Sequence, residues 1–81
     1  MNNFDTKNEL EFILRKIFSS QIKLDKTISQ KNFKKWDSLN HVRIFIEIEN
    51  KLNIKFSSDE INSLNDSDQI LKKINSKLKN K

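Results

Sequence analysis

Apolar residues recur at three- and four-residue intervals along most of this chain, and that spacing predicts helices. Leu10, Ile13, Leu14, Ile17 and Phe18 follow an i, i+3, i+4, i+7, i+8 stripe, the mark of an amphipathic helix over about residues 7–18. Thr6 and Glu9 stand at capping-box spacing in front of it. Glu11 falls on the other side of the stripe, and Phe12 lies off it, on the surface or beneath a loop. A second helix is predicted over about residues 38–52, the most apolar stretch of the chain. Leu39, Val42, Phe45, Ile46, Ile48 and Leu52 cover about half its circumference, interrupted by His41 and Glu49, with Ile44 off the arc. An apolar face that wide suits a central helix with more than one neighbour.

Two further helices follow. Asn53-Ile54-Lys55-Phe56 reads as an exit segment whose two apolar residues turn inward. Ser57 and Glu60 form a second capping-box pair, opening a short helix of about residues 58–63 with Ile61 and Leu64 directed inward. Asp66 and Gln69 mark a third helix start, and Ile70, Leu71, Ile74 and Leu78 line one face of the closing helix. Lysines toward its end complement the helix dipole. Between the first two helices lies a long connection, residues 19–37, too long for an ordinary helix–helix loop. Ile22, Leu24, Ile28, Phe33 and Trp36 recur along it and anchor it to a core. Ile22-Lys23-Leu24 finds no second strand to pair with. The expected architecture is a single all-α domain over residues 1–81, a four-helix bundle with three main helices, a short third helix and a long loop between helices one and two.

Composition narrows the function classes. The chain has no cysteine and one histidine, which removes disulfides and makes a zinc site unlike anything expected here. It has no glycine and no proline, so Asn, Asp and Ser must serve the turns and caps. A glycine-rich phosphate loop, a dinucleotide fingerprint and a nucleophile elbow are excluded with them. Uninterrupted apolar runs reach three residues, too short for a membrane span or a signal-peptide core. A soluble, cytoplasmic protein is the expectation. The formal net charge of +5 raises the question of nucleic acid. Its distribution argues against that: residues 1–37 and 63–81 carry the surplus, whereas residues 38–62 hold three basic and four acidic side chains. A nucleic-acid reader concentrates basic residues on its recognition helix, so a solvated lysine-rich surface is the better account.

The chemistry concentrates at Trp36-Asp37-Ser38-Leu39, where the long loop meets the second helix. Asp and Ser are both good capping residues. A serine hydroxyl here also sits at the positive end of a helix dipole, where a phosphate is stabilised. From Asp37 onward the chain resembles the acyl carrier proteins. The resemblance rests on Asp37-Ser38-Leu39, Val42, Ile46, Glu47, Glu49, Leu52-Asn53-Ile54-Lys55-Phe56, Asp59-Glu60-Ile61 and the Ile70–Ile74 segment, aligned without insertion. It implies that Ser38 carries a 4′-phosphopantetheine arm, donated from coenzyme A by a phosphopantetheinyl transferase that Asp37 helps to dock. The protein would then be a phosphoprotein holding acyl or aminoacyl groups as thioesters, not itself an enzyme, because the reactive thiol belongs to the arm. Partner recognition is expected through Leu39, His41, Val42 and Arg43 on this helix, and the resemblance implies that Leu39 is at least partly exposed and Val42 mostly buried. It further implies an apolar cargo pocket near Ile46, Ile61 and Leu64.

Two features separate this chain from the common pattern. Lys35 and Trp36 precede the Asp where the family often has glycine and a small residue. Asn40, His41 and Arg43 occupy the first turns of helix two, where acidic residues are usual. Such a start is more similar to small dedicated carriers of specialised biosynthetic pathways. The expected partners are therefore the transferase, a dedicated loading enzyme and downstream acyl- or aminoacyl-transfer enzymes, with no nucleic acid, no metal and a monomeric chain. His41, close to Ser38, invites a general-base role; without an identifiable orienting residue it reads as an ordinary surface or interface histidine. The rival functions are a small basic nucleic-acid-binding domain and an interaction bundle that is never modified.

Overall fold

The computed structural model describes residues 6–19 and 21–79. Four helices appear in chain order: α1 (Thr6–Phe18), α2 (Ser38–Leu52), α3 (Ser58–Ser63) and α4 (Ser67–Lys79). There is no strand among the described residues, and the fold is all-α as the periodicity predicts. Helix α1 packs against both α2 and α4. Leu10, Ile13, Leu14 and Phe18 of α1 meet Ile44, Phe45, Ile48 and Leu52 of α2 and Ile70 and Ile74 of α4 in one core. No helix among the described residues is long and apolar enough to cross a membrane.

Residues 21–37 of the long loop are held by specific anchors. Ile22, Leu24 and Trp36 are buried, and Ile28 and Phe33 pack partly against the core. Helix α1 also grips the loop with polar groups. Arg15 Nε donates to the Ile22 carbonyl at 2.8 Å, and the Glu11 carboxylate accepts the Leu24 N–H. Further along, the loop is tied to the start of α4. Ile28 N–H donates to Ser67 Oγ at 3.0 Å, and Ser67 N–H returns a bond to the Ile28 carbonyl at 2.8 Å. These reciprocal bonds explain why Ser67, a polar residue, is buried.

Glycine-free turns are solved with Asn and Ser. Asn53 closes α2 in the left-handed region at φ 56°, donating its N–H to the Glu49 carbonyl. Asn tolerates that conformation better than other non-glycine residues. Ser19 adopts φ 52° just after α1. Helix α3 opens with the expected capping box: Ser57 Oγ accepts Glu60 N–H, and Glu60 Oε1 accepts Ser57 N–H. At α4, Asp66 Oδ1 accepts Gln69 N–H, and Gln69 Oε1 accepts Asn65 N–H.

Three expectations are corrected. Thr6 is the first residue of α1 and buried, not the residue outside it. Val42 is 46 % exposed, whereas Ile44, expected off the apolar arc, is completely buried. The buried face of α2 runs through His41, Ile44, Phe45, Ile48 and Leu52. At about 100° per residue this face is rotated by roughly 80° from the expected arc of Leu39, Val42, Phe45, Ile46, Ile48 and Leu52. The third correction concerns His41, which is buried at 7 % exposure and not a surface residue. It is a hydrogen-bonded member of the core, and its polarity hid the true face. Phe12 resolves to the surface, 57 % exposed, with Lys51 Nζ 4.9 Å from its ring centroid.

Candidate functional site

The site is built where the loop ends and α2 begins. Asp37 is extended (φ −96°, ψ −177°) and is the N-cap, its Oδ1 accepting Asn40 N–H at 2.9 Å. The Asp37 carbonyl accepts His41 N–H, the first intrahelical bond of α2. Asn40 Nδ2 donates back to the Lys35 carbonyl at 2.9 Å, bracing the approach to the cap. Because Asp37 performs the capping, the Ser38 hydroxyl is not needed for it. Ser38 is exposed, and its side chain makes no hydrogen bond among the described residues. As the first residue of α2 it sits among backbone N–H groups that have no intrahelical acceptor. The first turn of α2 contains no acidic residue. A phosphate esterified to Ser38 would therefore meet the positive end of a 15-residue helix without carboxylates from that turn.

His41 lies one turn beyond the serine and is fully committed elsewhere. Trp36 Nε1–H donates to His41 Nδ1 at 3.0 Å, and His41 Nε2 lies 2.7 Å from the Ile61 carbonyl. An indole nitrogen can only donate and a carbonyl can only accept. The partners assign Nδ1 as the acceptor and Nε2 as the donor of the ring. Neither nitrogen is available to deprotonate Ser38, so the general-base reading fails on geometry. The ring instead joins the loop before the serine to α3, packed edge-on to Phe45 at 5.1 Å. Sequence reasoning missed this bridge. Its signal was the pairing of the only Trp with the only His, five residues apart across the serine.

Of the expected recognition residues, Leu39 is 63 % exposed, Val42 is exposed and Arg43 is exposed, while His41 is not accessible. Ile46, also exposed, stands on the same side of α2. It borders a surface depression with Lys16, Ile17, Arg43 and Glu47. Leu64 is buried, at the edge of a different depression with Ser63, Gln69 and Lys72, and Ile61 is half-buried on α3. Ile46 and Leu64, two of the residues expected to enclose a cargo, thus line different depressions. The correction has the same cause as before: the rotation of α2 turns Ile46 outward.

Electrostatics around α3 centre on Glu60. Its carboxylate is held below the ordinary glutamate range, chiefly by accepting Ser57 N–H and then by Lys77, with Lys73 adding to the effect. Lys77 Nζ lies 3.0 Å and Lys73 Nζ 3.7 Å from it, joining α3 to α4. No group of three His, Cys, Asp or Glu among the described residues is arranged to hold a metal ion. Comparison with known proteins returns no match to a family model, to a curated protein or to a solved structure.

Proposed function

We propose that this chain is a carrier protein whose Ser38 is esterified by 4′-phosphopantetheine and which holds acyl or aminoacyl intermediates as thioesters. The observation that carries the reading is the division of labour at the start of α2. Asp37 caps the helix, and the adjacent Ser38 hydroxyl is left exposed and without a hydrogen-bond partner among the described residues, at the helix end where the Ser38 and Leu39 N–H groups have no intrahelical acceptor. A serine serving only as a cap would have its oxygen engaged with the helix, as Ser57 does at α3. When bound, the arm supplies the thiol that bears the cargo. The chain's own residues supply the rest: a primary hydroxyl to esterify, a helix end that favours the phosphodiester anion, and exposed apolar side chains beside it.

His41 has both ring nitrogens engaged. Proton removal from Ser38 therefore falls to the transferase, consistent with a protein that performs no bond chemistry of its own. The test is intact-mass measurement after incubation with coenzyme A and a broad-specificity phosphopantetheinyl transferase. The wild-type chain gains the mass of one arm, and Ser38→Ala gains none. A wild-type chain that stays unmodified under conditions where a control carrier is fully converted refutes the reading.

A further inference from the structure

The outward side of α2 carries an apolar ridge beside the charge of Arg43. Leu39, Val42 and Ile46 are 63 %, 46 % and 50 % exposed. With Arg43 they fall within about 100° of one another around the helix. Contiguous exposed aliphatic residues beside a candidate attachment point mark an interaction surface. The charges of α2 and its cap decide what the surface fits. Asp37 is occupied by Asn40 N–H, and Glu49 Oε2 accepts Phe56 N–H at 2.9 Å. Glu47 is paired with Lys16 at 3.1 Å, and Lys51 with Glu9 at 3.3 Å. Arg43 alone among them has no ionic or hydrogen-bonding partner among the described residues, and it is exposed.

The geometry points to a protein partner that lays an apolar patch on Leu39, Val42 and Ile46 and presents a carboxylate to Arg43. A guanidinium donates to both oxygens of a carboxylate in a two-pronged, directional pair, so Arg43 fixes orientation as well as charge. A second copy of this chain is the poorer occupant. A two-fold pairing would set the ridge against itself, with an arginine from each copy and every carboxylate of α2 already engaged. This inference rests on the carrier reading, since it takes the partner to be an enzyme that must reach Ser38. A partner with a lysine- or arginine-lined docking face is correspondingly disfavoured.

The experiment uses the full chain and one phosphopantetheinyl transferase in two forms. One form has a lysine- and arginine-lined docking face; in the other those residues are replaced by glutamate. Both are first shown equally competent on a short serine peptide that lacks a docking ridge. Specificity constants for Ser38 modification are then compared for wild type, Arg43→Gln and Arg43→Glu, at low and high ionic strength. Wild type is expected to favour the glutamate-faced enzyme and Arg43→Glu the basic one, a crossover of about tenfold that fades as salt is added. Arg43→Gln falls between them. Equal discrimination by wild type and Arg43→Glu, with Ser38 still modified, overturns the inference and leaves the carrier reading standing. If neither enzyme modifies Ser38 in a chain whose melting curve is unchanged, both fall together.

Discussion

Removing the indole N–H that holds His41 should destabilise the protein, and removing both partners should cost less than the two single changes added. In Trp36→Phe the buried Nδ1 of His41 loses its 3.0 Å donor. An unsatisfied buried acceptor costs about 1–3 kcal/mol, and the smaller ring adds a further loss of packing. In His41→Leu, the Trp36 N–H and the Ile61 carbonyl both lose a partner. The same range of about 1–3 kcal/mol applies, offset in part by the added apolar surface. In the double variant neither the stranded donor nor the stranded acceptor of the Trp36–His41 pair exists. Only the Ile61 carbonyl remains without its imidazole partner, on a residue that is half-buried. The double variant should therefore be more stable than additivity predicts, by about 1–2 kcal/mol. Urea and thermal unfolding of the four proteins, with coincident circular-dichroism and fluorescence transitions where Trp36 is retained, supply the cycle. For a domain this small each kcal/mol moves Tm by about 4–8 °C, so the coupling is well within resolution. Additivity within about 0.3 kcal/mol would refute the bridge.

Three more outcomes follow from the same geometry. Ile44→Ala should cost about 2–5 kcal/mol because the side chain is completely buried, whereas Val42→Ser should change stability by less than about 0.5 kcal/mol; denaturant midpoints decide which face of α2 is inside. Glu60 has a lowered folded-state pKa, so its contribution to stability is present above the ordinary value of 4.5 and is lost as pH falls below it through the folded-state value. Glu60→Gln should therefore be less stable than wild type at neutral pH, with the difference shrinking on acidification below that value, as read by melting curves across the acid range. Leu39→Ala should slow modification of Ser38 while leaving Tm nearly unchanged, since the residue is largely exposed; a large fall in Tm with an unimpaired rate would contradict it.

The helices were legible because their signals are local. The stripe from Leu10 to Phe18, the Ser57/Glu60 box and the Asp66/Gln69 start each depend on residues within a few positions, and α2, α3 and the α4 face lie where those signals put them. The long loop was legible from its apolar anchors, though not the reciprocal Ile28–Ser67 bonds, which join residues 39 positions apart. The face of α2 was misread for a physical reason. The arc through Leu39, Val42, Phe45, Ile46, Ile48 and Leu52 placed Val42 and Ile46 inward and left Ile44 out, because a histidine was treated as polar. Once Trp36 and the Ile61 carbonyl satisfy both of its nitrogens, His41 is as much a core residue as Phe45. At the candidate site the sequence left Asp37 and Ser38 as equal caps. Only the three-dimensional structure shows that the Asp37 carboxylate takes the Asn40 N–H and that Ser38 Oγ has no partner among the described residues.

The central claim, that Ser38 bears the arm, is tested most directly on the protein recovered from the cells that make it. Trypsin cuts after Lys35 and Arg43, which isolates Trp36-Asp37-Ser38-Leu39-Asn40-His41-Val42-Arg43 as one peptide. Tandem mass spectrometry of that peptide should find a 4′-phosphopantetheine on Ser38, free or carrying a thioester, and the fragment ions should place it on no other residue. Recovery of the peptide only in its unmodified form, from cells whose transferase is active on another carrier, would contradict the account.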